Sequence, residues 1–141
     1  VLDRLTVRLE RAAGRHAGLV LSAAGAGAFP TAPRARVLWT GLQGDQGALR
    51  AIAASVAAGA RRAGVPPPDG RRRFRPHITL ARSREPADVS YLTGELSDYS
   101  GAAWTADRVH LICSHLGPQP WYESIGDWPL RVPAHGIGCV E

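Results

Sequence analysis

The sequence contains no lysine and no methionine, only two cysteines, and no apolar run near the roughly 20 residues of a membrane span. Each absence excludes something. Cys113 and Cys139 show no CxxC spacing and no histidine cluster beside them, which argues against a zinc site or a disulfide framework. Cys113 lies in an apolar run and reads as a buried small hydrophobe rather than a nucleophile. The N-terminus opens with charges spaced among leucines, unlike a secretory leader. The glycine signature of a nucleotide-binding βαβ unit is also missing. A cytoplasmic monomer with no membrane partner, no metal and no cofactor is the expectation.

With lysine absent, all 17 basic residues are arginine, set against 12 acidic ones for a formal charge of +5. A bias toward Arg, Ala and Gly accounts for the arginine usage. The net positive charge still favours an anionic partner, and guanidinium forks match phosphate oxygens. At 141 residues the chain suffices for one domain with a real core.

Leu2, Leu5, Leu9 and Ala12 share a face over residues 2–13, which predicts a helix ended by Gly18. A strand follows at Leu19 to Leu21, then an irregular glycine-rich turn from Ser22 to Phe29, and a second strand from Arg36 to Leu42. Asp45 is placed to cap a long Ala-rich helix with Leu49, Ile52, Val56 and Ala60 inward, stopped by Gly64. Residues 65–70 are an extended connection, and Arg71 to Arg73 a solvated loop. A strand over residues 77–82, a proline-opened helix from Pro86 to about Ser97, and strands at 104–115 and 122–130 complete the reading. Residues 1–130 form one domain, and 131–141 a tail. The order of elements favours the α+β class.

The chemistry is concentrated in Phe74-Arg75-Pro76-His77-Ile78-Thr79-Leu80-Ala81-Arg82. His77 and Thr79 stand two apart on a strand, so both face one way while Ile78 and Leu80 face the core. An imidazole that titrates near neutrality moves protons, and a neighbouring hydroxyl donates to a phosphoryl oxygen. Pro76 keeps Arg75 extended at the mouth of the strand. Arg82 offers a charge to the same phosphate or to the next one along a nucleic acid.

This segment resembles the second His-x-Thr motif of the bacterial and archaeal RNA 2′,3′-cyclic phosphodiesterases, or 2′-5′ RNA ligases, in the two-histidine phosphoesterase superfamily. Further similarities follow in order: Gly25 to Pro30, the strand from Arg36 to Gly41, Ser114 to Pro118 leading to Tyr122-Glu123, and Trp128-Pro129-Leu130. The resemblance implies a two-lobed α+β fold, with antiparallel sheets lining a central cleft and helices outside. It implies metal-independent opening of 2′,3′-cyclic phosphate ends of RNA, or of cyclic nucleotides, to 2′-phosphates, and also 2′-5′ ligation. His77 and Thr79 would be the catalytic pair, with Arg75 and Arg82 near the phosphate. Phe74 and Tyr122 are either base-stacking surfaces or part of the core and wall.

The family pattern has two His-x-Thr motifs, and this sequence holds one. His110, His115, His16 and His135 are not followed by x-Thr; His110 reads as a residue of the less buried strand face, and His16 and His135 as surface or tail residues. The uncapped first helix with no strand before it leaves the first lobe incomplete, so a longer natural protein with an upstream motif is expected. The alternatives are a non-catalytic module that binds RNA ends and a phosphodiesterase for another cyclic phosphate.

Overall fold

The computed structural model describes residues 1–66 and 73–132. Residues 67–72 and 133–141 lie outside the described residues, and with them most of the proline connection, Arg71, Arg72, His135 and Cys139. The chain divides into two compact units: Val1–Gly18, Arg50–Arg72 and Ala106–Glu141 in one, Leu19–Leu49 and Arg73–Thr105 in the other.

In the first unit α1 spans Leu2–Ala13. It ends earlier than Gly18, at Gly14, whose amide bonds back to Glu10. Leu9, Ala12 and Ala13 are buried, whereas Leu2 is half exposed. Helix α2, Gln46–Arg62, belongs to this unit from Arg50 onward and buries Ile52 and Gly59. It stops at Gly64, whose φ of 85° suits a residue without Cβ, as the sequence predicts. Strands β5 (Arg108–His115) and β6 (Trp121–Pro129) form a separate antiparallel hairpin. The single strand expected over 104–115 is broken at Asp107, whose carbonyl accepts the Leu130 amide. Cys113 is half-buried and free rather than fully buried. His110 is exposed, as expected. His16 departs from expectation: it is half-buried, with Nε2 2.7 Å from the Ser55 hydroxyl. Arg131, the first residue of the expected tail, donates its amide to the His16 carbonyl and accepts from Gly18.

The second unit is a four-stranded sheet in the order β3-β2-β1-β4, from β1 (Leu19–Phe29), β2 (Ala35–Gly44), β3 (His77–Ala87) and β4 (Trp104–Ala106). Both β1 with β2 and β2 with β3 run antiparallel. The Gly/Ala run expected as an irregular turn continues β1. Its irregularity is condensed into one extra residue between Ala24 and Gly27, where Gly25 takes φ 62° and the Thr40 hydroxyl donates to the Gly25 carbonyl. Asp45 does begin α2, but its carboxylate accepts the Val20 amide at 2.9 Å.

Pro86 does not open a helix. It remains in β3, and α3 covers only Ser90–Glu95. The turn begins where the Asp88 carboxylate accepts the Ser90 amide, and the Ser90 hydroxyl first and its amide second hold the Asp88 pKa below its ordinary value. Leu92 is 44% exposed rather than inward. Among the described residues, no helix is long and apolar enough to cross a membrane.

Candidate active site

His77 opens β3, the edge strand of the four-stranded sheet, and the register sets Gly41 opposite it. Thr79 lies opposite Trp39. Residues facing each other across an antiparallel ladder share a face, so His77, Thr79, Gly41 and Trp39 are on one side. Phe29 belongs to the same side: its ring meets Trp39 at 5.2 Å and stands edge-on to His77 at 5.1 Å. Trp39 meets His77 at 5.9 Å. The imidazole therefore rests against two aromatic rings, while His77 and Thr79 both remain exposed.

Small residues make this packing possible. A Cβ on Gly27 would fall 2.8 Å from Trp39 Cε2 and closer to other indole carbons, so only glycine lets the indole lie across β1. Gly41 is nearly as constrained, since its Cβ would sit 2.9 Å from the Ala24 carbonyl. The Trp39 Nε1 is buried with no hydrogen-bond partner among the described residues.

The orientation of the His77 ring is fixed locally. Nδ1 lies 2.6 Å from the carbonyl oxygen of Arg75. A carbonyl only accepts, so Nδ1 carries the proton and Nε2 keeps its lone pair for a ligand. Arg75 thus contributes through its backbone, in the extended conformation that Pro76 imposes.

Plain alternation sends Arg82 to the face opposite His77 and Thr79. The observed register does otherwise. Leu38 faces Ala81 and Trp39 faces Thr79, which leaves Leu80 as the extra residue of a bulge. Beyond it Val37 faces Arg82, returning the guanidinium to the His77 side. Ile78 and Leu80, expected to face the core, are 42% and 50% exposed. An edge strand has a neighbour on one flank only, and in the described residues little covers its far face.

Phe74, Arg75, His77, Thr79 and Arg82 all belong to this unit. Phe74 is 44% exposed, so it is not a core residue. Tyr122 belongs to the other unit and is 65% exposed, on β6 opposite Ser114. Residue-by-residue reading did not single out Phe29 and Trp39 as the frame of His77. Their only signal was aromatic character, Trp39 in an expected strand and Phe29 at the end of the expected glycine-rich turn, and their meeting with His77 depends on register. It also missed His115, which stacks on Trp121 at 3.8 Å and lies 3.0 Å from the Glu123 carboxylate. Among the described residues, no three His, Cys, Asp or Glu side chains are grouped to hold a metal ion.

A family model described as the 2′-5′ RNA ligase superfamily matches residues 1–118. No curated protein matches the chain. Several solved structures do. TT0787 of Thermus thermophilus is 27% identical with a TM-score of 0.72, over 94% of this chain and 71% of that one. E. coli LigT complexed with 3′-AMP is 23% identical with a TM-score of 0.65, over 92% and 71%. The same protein complexed with NADP+ is 21% identical with a TM-score of 0.60, over 92% and 67%. The likeness to LigT is one of fold, which alone does not carry a reaction.

Proposed function

Since this chain belongs to the 2′-5′ RNA ligase superfamily of two-histidine phosphoesterases, we propose that its reaction is the opening of a 2′,3′-cyclic phosphate at an RNA end or on a nucleotide. The observation that supports this reading is the register of β3, which puts His77, Thr79 and Arg82 on one face of the sheet. Water attacks phosphorus, the bond from phosphorus to the ribose 3′ oxygen breaks, and a 2′-phosphomonoester and a 3′-hydroxyl remain. One proton leaves the water and one reaches the departing 3′ oxygen. The His77 Nε2 handles one of these transfers. Thr79 and Arg82 bind non-bridging oxygens, where a hydroxyl and a guanidinium fork meet the negative charge. Phe74, exposed in the same unit as His77, is the candidate stacking surface for a base, and Tyr122, exposed in the other unit, is a separate candidate. LigT, similar in fold, is complexed with 3′-AMP, a nucleotide with a phosphate on its ribose.

In-line displacement places the entering and leaving oxygens on opposite sides of phosphorus, so a second acid–base group acts with His77. The assay is therefore run on the complete polypeptide of the reading frame, and the frame upstream of Val1 is read for a second His-x-Thr. The expected result is release of a 2′-phosphomonoester from a 2′,3′-cyclic end in the presence of a chelator. His77→Ala is expected to lower the rate at least ~100-fold, the smaller end of what a general acid or base contributes. An unchanged rate removes His77 from the reaction. Binding of cyclic ends without turnover by the complete polypeptide would favour a non-catalytic end-binding module instead, and faster turnover of small cyclic phosphates than of RNA ends would change the substrate.

A further inference from the structure

We infer that the arginine face of α1 is a docking site for the phosphate backbone of RNA; the choice of RNA among polyanions rests on the reading above. Arg4, Arg8 and Arg11 recur at helical spacing, so they form one stripe with about 6 Å and 10 Å of axial rise from the first to the second and third. Arg62, in the last turn of α2, joins them around a depression of about 300 Å³ whose other lining residues are Asp3 and Val7. Gly59 makes this convergence possible. It is buried, and a Cβ there would sit 3.3 Å from the Cβ of Arg8, so α2 approaches α1 closely one turn before Arg62.

Four arginines thus line one depression with a single acidic residue. No ion pair joins any of the four to a described residue, whereas Arg108 on β5 is paired with Asp127. Like charges three and four residues apart on a helix repel one another, and a bound polyanion offsets that repulsion by attracting each of them. The shape selects the ligand. Asp3, Arg4, Val7, Arg11 and Arg62 are all exposed, so the depression is shallow and would leave a small molecule largely in water. A row of charges along an open helix face instead suits a chain of phosphates, which gains one contact per charge and releases counterions at each.

The test is fluorescence anisotropy of a labelled oligouridylate with an ordinary 3′-hydroxyl, titrated with the complete polypeptide over a range of KCl. Arg4→Gln/Arg8→Gln/Arg11→Gln is expected to bind at least tenfold more weakly. Its plot of log affinity against log salt should be shallower by about 2, since each lost phosphate contact removes about 0.7 from the slope for a single strand. Arg62→Gln, on the other helix, should show a smaller change in the same direction with an unchanged circular dichroism spectrum. Arg61→Gln, outside the depression, should bind as the parent does. Retention of parental affinity and slope by both the triple variant and Arg62→Gln overturns the inference. It is likewise overturned if phosphatidylserine vesicles compete the oligouridylate away at lower phosphate concentration than unlabelled RNA does. His77→Ala is expected to lower hydrolysis as above while the binding of this 3′-hydroxyl oligouridylate persists, so loss of the docking site and loss of the proposed reaction are read separately.

Discussion

His77 donates its Nδ1 hydrogen to the carbonyl of Arg75, two residues back along the same chain, at 2.6 Å. The bond selects a tautomer and leaves Nε2 as the basic atom. Two-bond proton–nitrogen correlation NMR, recorded with the imidazole neutral, is expected to show the Nδ1–H pattern for His77. An Nε2–H pattern would mean that the ring presents a donor, not a base, to its ligand.

Arg82 shares the His77 face only because Leu80 is an extra residue in β3. Deleting Leu80 removes the extra residue and sets Arg82 four places after His77, so plain alternation keeps the guanidinium on the His77 side. Arg82→Ala is expected to raise KM for a cyclic phosphate about tenfold, which corresponds to about 1.4 kcal/mol of a charge-assisted contact, whereas the deletion should leave KM near the parental value. Leu80→Ala keeps the residue count, and its half-exposed side chain is not a core group, so KM should stay near the parental value. Steady-state kinetics on the three variants decides whether Arg82 acts from the His77 face, and a deletion variant as impaired as Arg82→Ala would contradict the register.

Gly27→Ala places a methyl inside the volume of the Trp39 indole. Overpacking of this kind costs about 1–3 kcal/mol. The urea midpoint should fall accordingly, and near-ultraviolet circular dichroism should report the displaced indole. Because Trp39 also touches His77, the variant should lose activity beyond its loss of stability. Equal stability in Gly27→Ala would show that the indole has room elsewhere.

Asp127 is held below its ordinary carboxyl pKa, first by the hydrogen bond from Arg108 and then by the charges of Arg108 and His110. A carboxylate with a lowered folded-state pKa stabilises the fold above its unfolded-state pKa, and the contribution is lost as pH falls through the folded value. Asp127→Asn should therefore match the parent in strong acid and show a slightly lower urea midpoint at neutral pH. The pair is exposed, so the difference should be small and should shrink further in high salt. A larger gap in acid than at neutrality would contradict the pairing.

Long elements were legible in the sequence because their periodicity repeats over several turns. Helices α1 and α2 appear within a few residues of their expected bounds, and Gly64 ends α2 as expected. Short elements were less legible. The Ala/Gly run of β1 carries no alternation of large and small side chains, so nothing local distinguishes it from a loop; its pairing with β2 makes it a strand. Pro86 suits a helix start and an edge strand equally well, and its place in β3 reflects the absence of a partner on that flank.

By itself, the sequence determined that His77 and Thr79 share a face, since two residues is the repeat of a strand, and that Arg75 is extended before Pro76. It also determined the family, through motifs spread along residues 1–118. Only the tertiary structure decided which residues stand with that pair. Strand register and the bulge at Leu80 bring Arg82 to their side, and the glycine floor at Gly27 lets Trp39 and Phe29 frame the imidazole. The physical reason is that a bulge or a cross-strand contact is set by the partner strand, and no local pattern in the β3 sequence encodes the register in which β2 will meet it.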